Sequence, residues 1–455
     1  MKMGQFYSDD EKALRGMLRE IGVNSVEDLF EDIPQEVRLR RKLDFPGPMA
    51  EWELMAHLRE LSQKNISSLD APHFIGAGCY DHHVFAAVKS LLKRGEFFTA
   101  YTPYQPELSQ GTLQAMFEFQ TFVVRLTEME VANASMYDGA TALAEAVLMA
   151  QRLRPERRKV ILSKGVHFQW LQVVRTIVAP LELSLVEVET TESLETDWEA
   201  MGSCVDEDTI CVVLQNPNFF GTIEDLREIQ RLESQVHGAG ALFVWAIVES
   251  TSLGLLEPPG QLGADIVVAE GQPLGLPMSF GGPHLGLFAT REKYLRQMPG
   301  RLIGQTVDQE GKRGFVLTLA TREQHIRRER ATSNICTNQA LCALAVTIHL
   351  ALLGPTGLRE IASRSARMAQ KALEALREIP GVEIPQRRVY NEFVVRVPGD
   401  LEEINRALLR RNMVGGFNLG RLDPAWKGNW LLAFTEKNTE EQILELSHIL
   451  RESLA

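Results

Sequence analysis

The 455-residue sequence predicts an α/β protein: a large domain on a mostly parallel sheet with helices on both faces, a small C-terminal α+β domain, and an N-terminal helical arm. Three observations carry that expectation. Between about residues 70 and 330, short β-branched runs alternate with helical or loop segments, as in successive βαβ units. After about residue 390 two strand-like runs alternate with helical stretches in a different rhythm. Before residue 69 the sequence shows helical spacing alone.

The arm is expected over 1–68. Ser8 with Glu11 reads as a capping box, and Leu14, Met17, Leu18 and Ile21 follow at helical spacing. A second helix is expected from Pro48 to Gln63, with Leu54, Leu58 and Leu61 on one face. Such an arm has little core of its own and must pack on the main domain or on another chain. The large domain is expected over 69–335, with strands at Val160–Leu162, Leu185–Val188, Ile210–Leu214, Ala241–Val244, Asp265–Val268 and Gly286–Ala289. The remaining 336–455 open with a long amphipathic stretch, Asn338–Arg377. Strands at Glu392–Val397 and Trp430–Phe434 and helices at Leu401–Arg411 and Glu440–Leu454 follow.

Composition narrows the function. A net charge of −12 argues against a nucleic-acid surface. The basic clusters Arg38–Lys42 and Arg322–Arg330 are short and flanked by acids, so they read as a solvated face or a subunit contact. Five cysteines with no CxxC pair argue against a disulfide framework and a zinc site, and for a reducing, cytoplasmic setting. The charged N-terminus lacks the apolar core of a signal peptide, and the most apolar helical run, Ala340–Leu353, is too short to span a bilayer.

Several stretches have the residue types of a site. Met136–Glu145 is a turn opening a helix. Its backbone N–H groups and the helix dipole suit a phosphate or other anion at Asp138, Gly139 and Thr141, although Asp138 serves equally as a plain N-cap. Tyr101–Gly111 packs two prolines and several hydrogen-bonding side chains into an irregular loop, fit either to line a pocket or to form a packed turn. His73 and His82-His83 lack metal-ligand spacing and read as surface or interface histidines. His167, next to Phe168 and Trp170, is placed either to stack on a planar ring or as an ordinary loop residue.

The stretch Ala264–His284 runs from a strand through Gly271-Gln272-Pro273 to Gly281-Gly282. In many α/β enzymes that use pyridoxal phosphate, a lysine just past such a strand holds the cofactor as a Schiff base, which requires a primary amine. Here no lysine occurs between Lys164 and Lys293. The acid that usually pairs with the pyridine nitrogen is also missing, Trp245 and Ala246 standing about where it would fall.

The motifs Phe74-Ile-Gly-Ala-Gly78, Thr99–Gly111, Ala132-Asn-Ala-Ser135, Asp138-Gly-Ala-Thr141, Gln215-Asn-Pro-Asn218 and Arg330–Thr337 resemble the P-protein of the glycine cleavage system, the glycine dehydrogenase (decarboxylating) family. The likeness runs in order from end to end. At this length it is to the separate N-terminal subunit (subunit 1) of a split enzyme. It implies the fold-type-I, aspartate-aminotransferase-like architecture of pyridoxal phosphate enzymes, with the cofactor's lysine on a partner, subunit 2, in an α2β2 assembly. Matching Pro277 and Gly281-Gly-Pro283 to the family's lysine stretch sets Gln272 against the lysine, or Pro273 if a one-residue gap falls differently. Asp81-His-His-Val84 departs from the family, where Thr or Ser commonly follows the Asp.

The implied reaction is decarboxylation of glycine on the partner's cofactor and transfer of the aminomethyl group to the lipoyl arm of H-protein. This chain would then hold no cofactor covalently, no metal and no catalytic residue of its own. Because active sites of this fold lie between subunits, the resemblance implies that Tyr101, Thr102, Tyr104, Gln105, Glu107, Ser109 and Gln110 reach across to the partner's site. Arg330, Thr332, Ser333 and Asn334 would join them, with the Tyr101 and Tyr104 hydroxyls on cofactor or substrate and Thr332 or Ser333 on the phosphate. Asp138, Gly139, Thr141, His167 and Gln272 would form a degenerate pocket. Two other readings stay open: a stand-alone lyase using Lys164, and a scaffolding or regulatory relic of the fold.

Overall fold

The computed structural model describes residues 10–335 and 337–454, so Ser8 of the expected capping box and Cys336 lie outside the described residues. The chain divides into two compact units, Met1–Asn65 and Ile66–Ala455. In the first, the helix Glu11–Ile21 is capped by Asp10, whose carboxylate accepts from the Lys12 N–H, and buries only Leu18. The helix Glu51–Ser62 buries no residue, leaving Leu54, Leu58 and Leu61 exposed.

The second unit is built on a seven-stranded sheet. Its strands are β1 (Val131–Ala132), β2 (Lys159–Ser163), β3 (Ser184–Val188), β4 (Thr209–Gln215), β5 (Leu242–Ile247), β6 (Ile266–Glu270) and β7 (Gly286–Thr290), in the order β1-β7-β6-β5-β4-β2-β3. Strands β2 to β6 are parallel, and β7 runs antiparallel between β6 and β1. Every residue of β4, β5, β6 and β7 is buried because both faces are covered. Alternation divides the side chains between two cores. Ile161, Val212, Trp245 and Val267 enter one, while Val160, Val213, Val244 and Val268 enter the other with the helix Gly139–Leu153.

A hairpin, β8 (Leu302–Val307) with β9 (Arg313–Thr318), follows the sheet. The C-terminal region then carries an antiparallel sheet of β10 (Glu392–Arg396), β12 (Asn429–Ala433) and β11 (Phe417–Asn418), in the order β10-β12-β11. The helices Leu401–Arg410 and Glu440–Leu454 contribute to the core over this sheet. Between the two sheets runs the helical stretch Ala340–Arg377, broken at Gly354 (φ 58°, ψ −178°) ahead of Pro355. Its first part buries Ala343, Val346 and Leu350 in the large core, and its second buries Ala369, Leu373 and Leu376 in the small one. By length and composition the stretch qualifies as a membrane-crossing helix, whereas the break and this packing explain its apolar character.

Candidate functional site

Asp138 and His167 line one cleft with Glu270, the last residue of β6, and Asp138, Thr141, His167 and Gln272 are each engaged by neighbours within the chain. Gln272 is buried, and its amide uses both of its N–H donors and its oxygen. Its Nε2 donates to the Tyr80 and Leu276 carbonyls, each at 2.9 Å, and its Oε1 accepts from the Tyr80 N–H at 3.0 Å. Trp245 and Ala246, expected about where the acid would fall, are buried in β5. Lys164 is on the surface, ion-paired with Glu189.

The helix start at Gly139 carries anions, and both belong to the protein. Asp138 caps the helix through the Thr141 N–H at 2.7 Å, while the Asp138 N–H donates to the Thr141 hydroxyl at 3.3 Å. The buried Glu270 carboxylate, at the end of β6, accepts from the Gly139 N–H at 3.0 Å, and also from Gln272 N–H at 3.0 Å and Leu285 N–H at 2.9 Å. A carboxylate is thus seated where the dipole and free N–H groups favour negative charge. Gly139 is required there, since a Cβ would lie 2.1 Å from the Trp170 ring.

His167 is buried rather than presented as a free stacking face. Its ring stacks on Phe168 at 4.9 Å and meets Phe219 edge-on at 5.0 Å. Nδ1 accepts from the Gln169 N–H, and Nε2 donates to the Ala77 carbonyl at 2.9 Å. Burial holds His167 neutral, down to about 4, with the bond to Ala77 opposing. Gly78, at φ +100°, lets the chain cross this ring, since a Cβ would stand 2.6 Å from Nε2.

The segment Phe74–Val84 is therefore a strap over the cradle, tied to His167 and Gln272 on one side and to the small domain on the other. Tyr80 donates its hydroxyl to Glu392 at 2.8 Å, and Ala77 donates its N–H to the same carboxylate at 2.6 Å. Burial nevertheless pushes Glu392 up to about 8. His82, expected at the surface or an interface, is instead buried between Glu436 (2.7 Å) and Glu249 (3.0 Å). Burial alone would lower His82, but the two carboxylates raise it to about 10. The pairing was invisible locally because those carboxylates lie 167 and 354 residues away.

A cleft of about 850 Å³ remains beside the strap, lined by Cys79, Asp138, His167, Trp170, Glu270 and His284 among others. Among the described residues no lysine or arginine lines it. His284, 3.5 Å from Glu270, is pushed up to about 10 by its contacts with Cys79 and Glu270.

The second set of candidates lies on the outside. In the 101–110 loop, Tyr101, Tyr104, Gln105, Glu107 and Gln110 are exposed, Thr102 and Ser109 half-buried. The loop is fixed at both ends. Gln110 exchanges hydrogen bonds with the backbone N–H and carbonyl of Phe315 in β9, both at 2.9 Å. Thr102 and Tyr104 converge on the buried Arg301, which donates to the Thr102 hydroxyl at 3.1 Å and to the Tyr104 hydroxyl at 3.2 Å. Tyr101 and Thr102 also border a cleft of about 280 Å³ with Asn338 and Gln339.

Of the second motif, Arg330 and Asn334 are exposed, and Thr332 is half-buried with its N–H on the Arg322 carbonyl. Ser333 is turned inward, donating to Glu145 at 2.8 Å. Sequence reasoning missed Glu270, Tyr80 and Arg301. Only Glu270 left a trace, as an acid closing an otherwise apolar strand.

The fold defines the class: a fold-type-I pyridoxal phosphate enzyme scaffold. The architecture is shared with Lactobacillus brevis glutamate decarboxylase (TM-score 0.70, 13% identity, 93% of this chain and 97% of that one), a likeness of fold alone. A profile of the glycine cleavage system P-protein family matches residues 5–450. The probable glycine dehydrogenase (decarboxylating) subunit 1 of Rhodospirillum centenum is 51% identical over 97% of both chains. A crystal structure of glycine decarboxylase (P-protein) of the glycine cleavage system, in inhibitor-bound form, superposes with a TM-score of 0.88 at 45% identity. That match covers 99% of this chain and 100% of that one. The chain belongs to the glycine cleavage system P-protein family.

Proposed function

We propose that this chain is the subunit of a glycine dehydrogenase (decarboxylating) that bears no cofactor lysine, and that it completes the active site of a lysine-bearing partner in an α2β2 assembly. The complex decarboxylates glycine and passes the aminomethyl group to the lipoyl arm of H-protein. Pyridoxal phosphate, held by the partner, supplies the electron sink for loss of carbon dioxide. We also propose a cytoplasmic setting, consistent with the free thiols Cys79, Cys204, Cys211 and Cys342.

The single observation that carries this reading is the state of Gln272. It stands at the lysine's place with every amide hydrogen-bonding group engaged by Tyr80 and Leu276. The cradle around it does not fit pyridoxal phosphate, because Glu270 already occupies the anion position at the helix start and no cationic side chain other than histidine lines the cleft among the described residues. The exposed side chains of Tyr101 and Tyr104 are the groups offered to a neighbour. Their role is to bind and orient the ligand held by the partner and, with Thr102, to exclude water from it.

The test is reduction with borohydride in the presence of pyridoxal phosphate, followed by peptide mass analysis. This chain alone should show no pyridoxyl-lysine, and the reconstituted complex should show one on the partner only. Labelling of Lys164 would establish the stand-alone lyase instead. Failure to bind the lysine-bearing subunit would favour a relic of the fold. Replacing Tyr104 by Phe should lower glycine–bicarbonate exchange in the complex by about tenfold or more.

A further inference from the structure

The 101–110 loop is exposed, yet two of its hydroxyls rest on a cation inside the protein. Arg301 is only 5% exposed. Its two terminal nitrogens go to different loop side chains, Nη1 to the Thr102 hydroxyl and Nη2 to the Tyr104 hydroxyl. The guanidinium also lies against the Tyr104 ring, 5.5 Å from its centroid. Its Nε has no hydrogen-bond partner, and the nearest carboxylate oxygen, on Glu323, stands 3.8 Å away.

A guanidinium only donates, so both hydroxyl oxygens are acceptors in these bonds. Each O–H proton is then left free to point elsewhere, polarised by the charge behind it. Tyr104, 54% exposed, has the outward path. His325 meets the Tyr104 ring edge-on at 6.3 Å and lies 3.6 Å from Glu323, and Arg327, Arg328 and Arg330 are exposed on the same short segment, with Glu329 beside Arg330. That segment is the basic cluster read from the sequence as a solvated face or subunit contact.

We propose that Arg301 is a positioning residue that makes Thr102 and Tyr104 a pair of hydrogen-bond donors for an anionic oxygen of the ligand held in the partner's site. The anion is the carboxylate of glycine or the phosphate of the cofactor. This inference rests on the preceding reading that the loop reaches the partner's site.

The experiment uses the complex reconstituted with the lysine-bearing subunit. Arg301→Gln, Arg301→Lys, Tyr104→Phe and the double variant Arg301→Gln/Tyr104→Phe are compared. Glycine–bicarbonate exchange is measured over a range of glycine, pyridoxal phosphate affinity by absorbance titration of the cofactor-free complex, and subunit association by gel filtration. Arg301→Gln should raise either the KM for glycine or the Kd for pyridoxal phosphate about tenfold, with assembly intact. A rise in KM identifies the carboxylate, and a rise in Kd the phosphate. The double variant should be no worse than Tyr104→Phe alone, and Arg301→Lys should recover part of the loss. If Arg301→Gln fails to fold, Thr102→Val/Tyr104→Phe removes both donors without touching the buried cation and should shift the same constant. Both constants within twofold of wild type in Arg301→Gln, with Tyr104→Phe impaired, would overturn this inference and leave the functional reading standing. Tyr104→Phe unimpaired as well would overturn both.

Discussion

The cradle and the 101–110 loop present the same kinds of polar side chain in opposite states. In the cradle, the polar groups of Gln272, Glu270, Asp138 and His167 are spent on neighbours within the chain. On the loop, Tyr101 and Tyr104 stand in solvent, and the bonds that Thr102 and Tyr104 accept leave their protons unspent. A buried group must be satisfied internally or it costs stability, so a site that has lost its ligand is either filled or destabilising. A group that serves a neighbouring chain has to be left open. On the proposed reading, the contrast separates the part of the molecule that holds itself together from the part kept for another subunit.

That separation is sharpened most by His82, which ties the strap to both domains. His82→Leu should destabilise by about 3–5 kcal/mol, since Glu249 and Glu436 would face each other unpaired, as denaturant unfolding would show. The pH profile tests the same group. With an ordinary value of 6.5 raised to about 10, its contribution is complete below pH 6.5 and lost as pH rises toward 10. Glu436, lowered from 4.5 to about 2, adds a contribution present above pH 4.5 and lost as pH falls toward 2. The wild-type melting temperature should thus fall between pH 6.5 and 10, and the variant should lose that part of the slope.

Next in size is Gln272→Lys, which should cost about 2–3 kcal/mol by orphaning the Tyr80 N–H and burying an ammonium. It should still yield no borohydride-stable pyridoxyl adduct at position 272, and such an adduct would break the comparison outright. Tyr80→Phe removes one of the bonds to Glu392 and should cost about 1–2 kcal/mol in thermal unfolding. The smallest effect belongs to the loop. Tyr101→Ala, at a residue 76% exposed, should change stability by less than about 0.5 kcal/mol while lowering the activity of the complex. A stability loss comparable to that of Tyr80→Phe would mean that the loop, too, is internal architecture.

Much of the fold was legible because period and burial agree. Val160–Leu162, Ile210–Leu214 and Gly286–Ala289 read as buried strands and lie within β2, β4 and β7. The β8–β9 hairpin was not, since Gln305, Asp308, Lys312 and Arg313 make it polar and its partners come from the helix Gln110–Thr127. In the cradle, the absence of a lysine could be read directly. What replaced it could not, because Gln272 is bonded to Tyr80, 192 residues away, and Glu270 to Gly139, 131 residues away. Arg301 gives no local sign at all, since its partners lie 199 and 197 residues upstream.

The carboxylate of Glu270 at the helix start also bears on how the cradle could be changed. A lysine placed at position 272 would meet an anion position filled by Glu270. Removal of Glu270 first would take the acceptor from the N–H groups of Gly139, Gln272 and Leu285 at once. On the proposed reading, each of these single steps toward a self-sufficient cofactor site passes through a less stable protein. The proposed division of labour between two chains is in that sense a ratchet, held in place by one buried side chain.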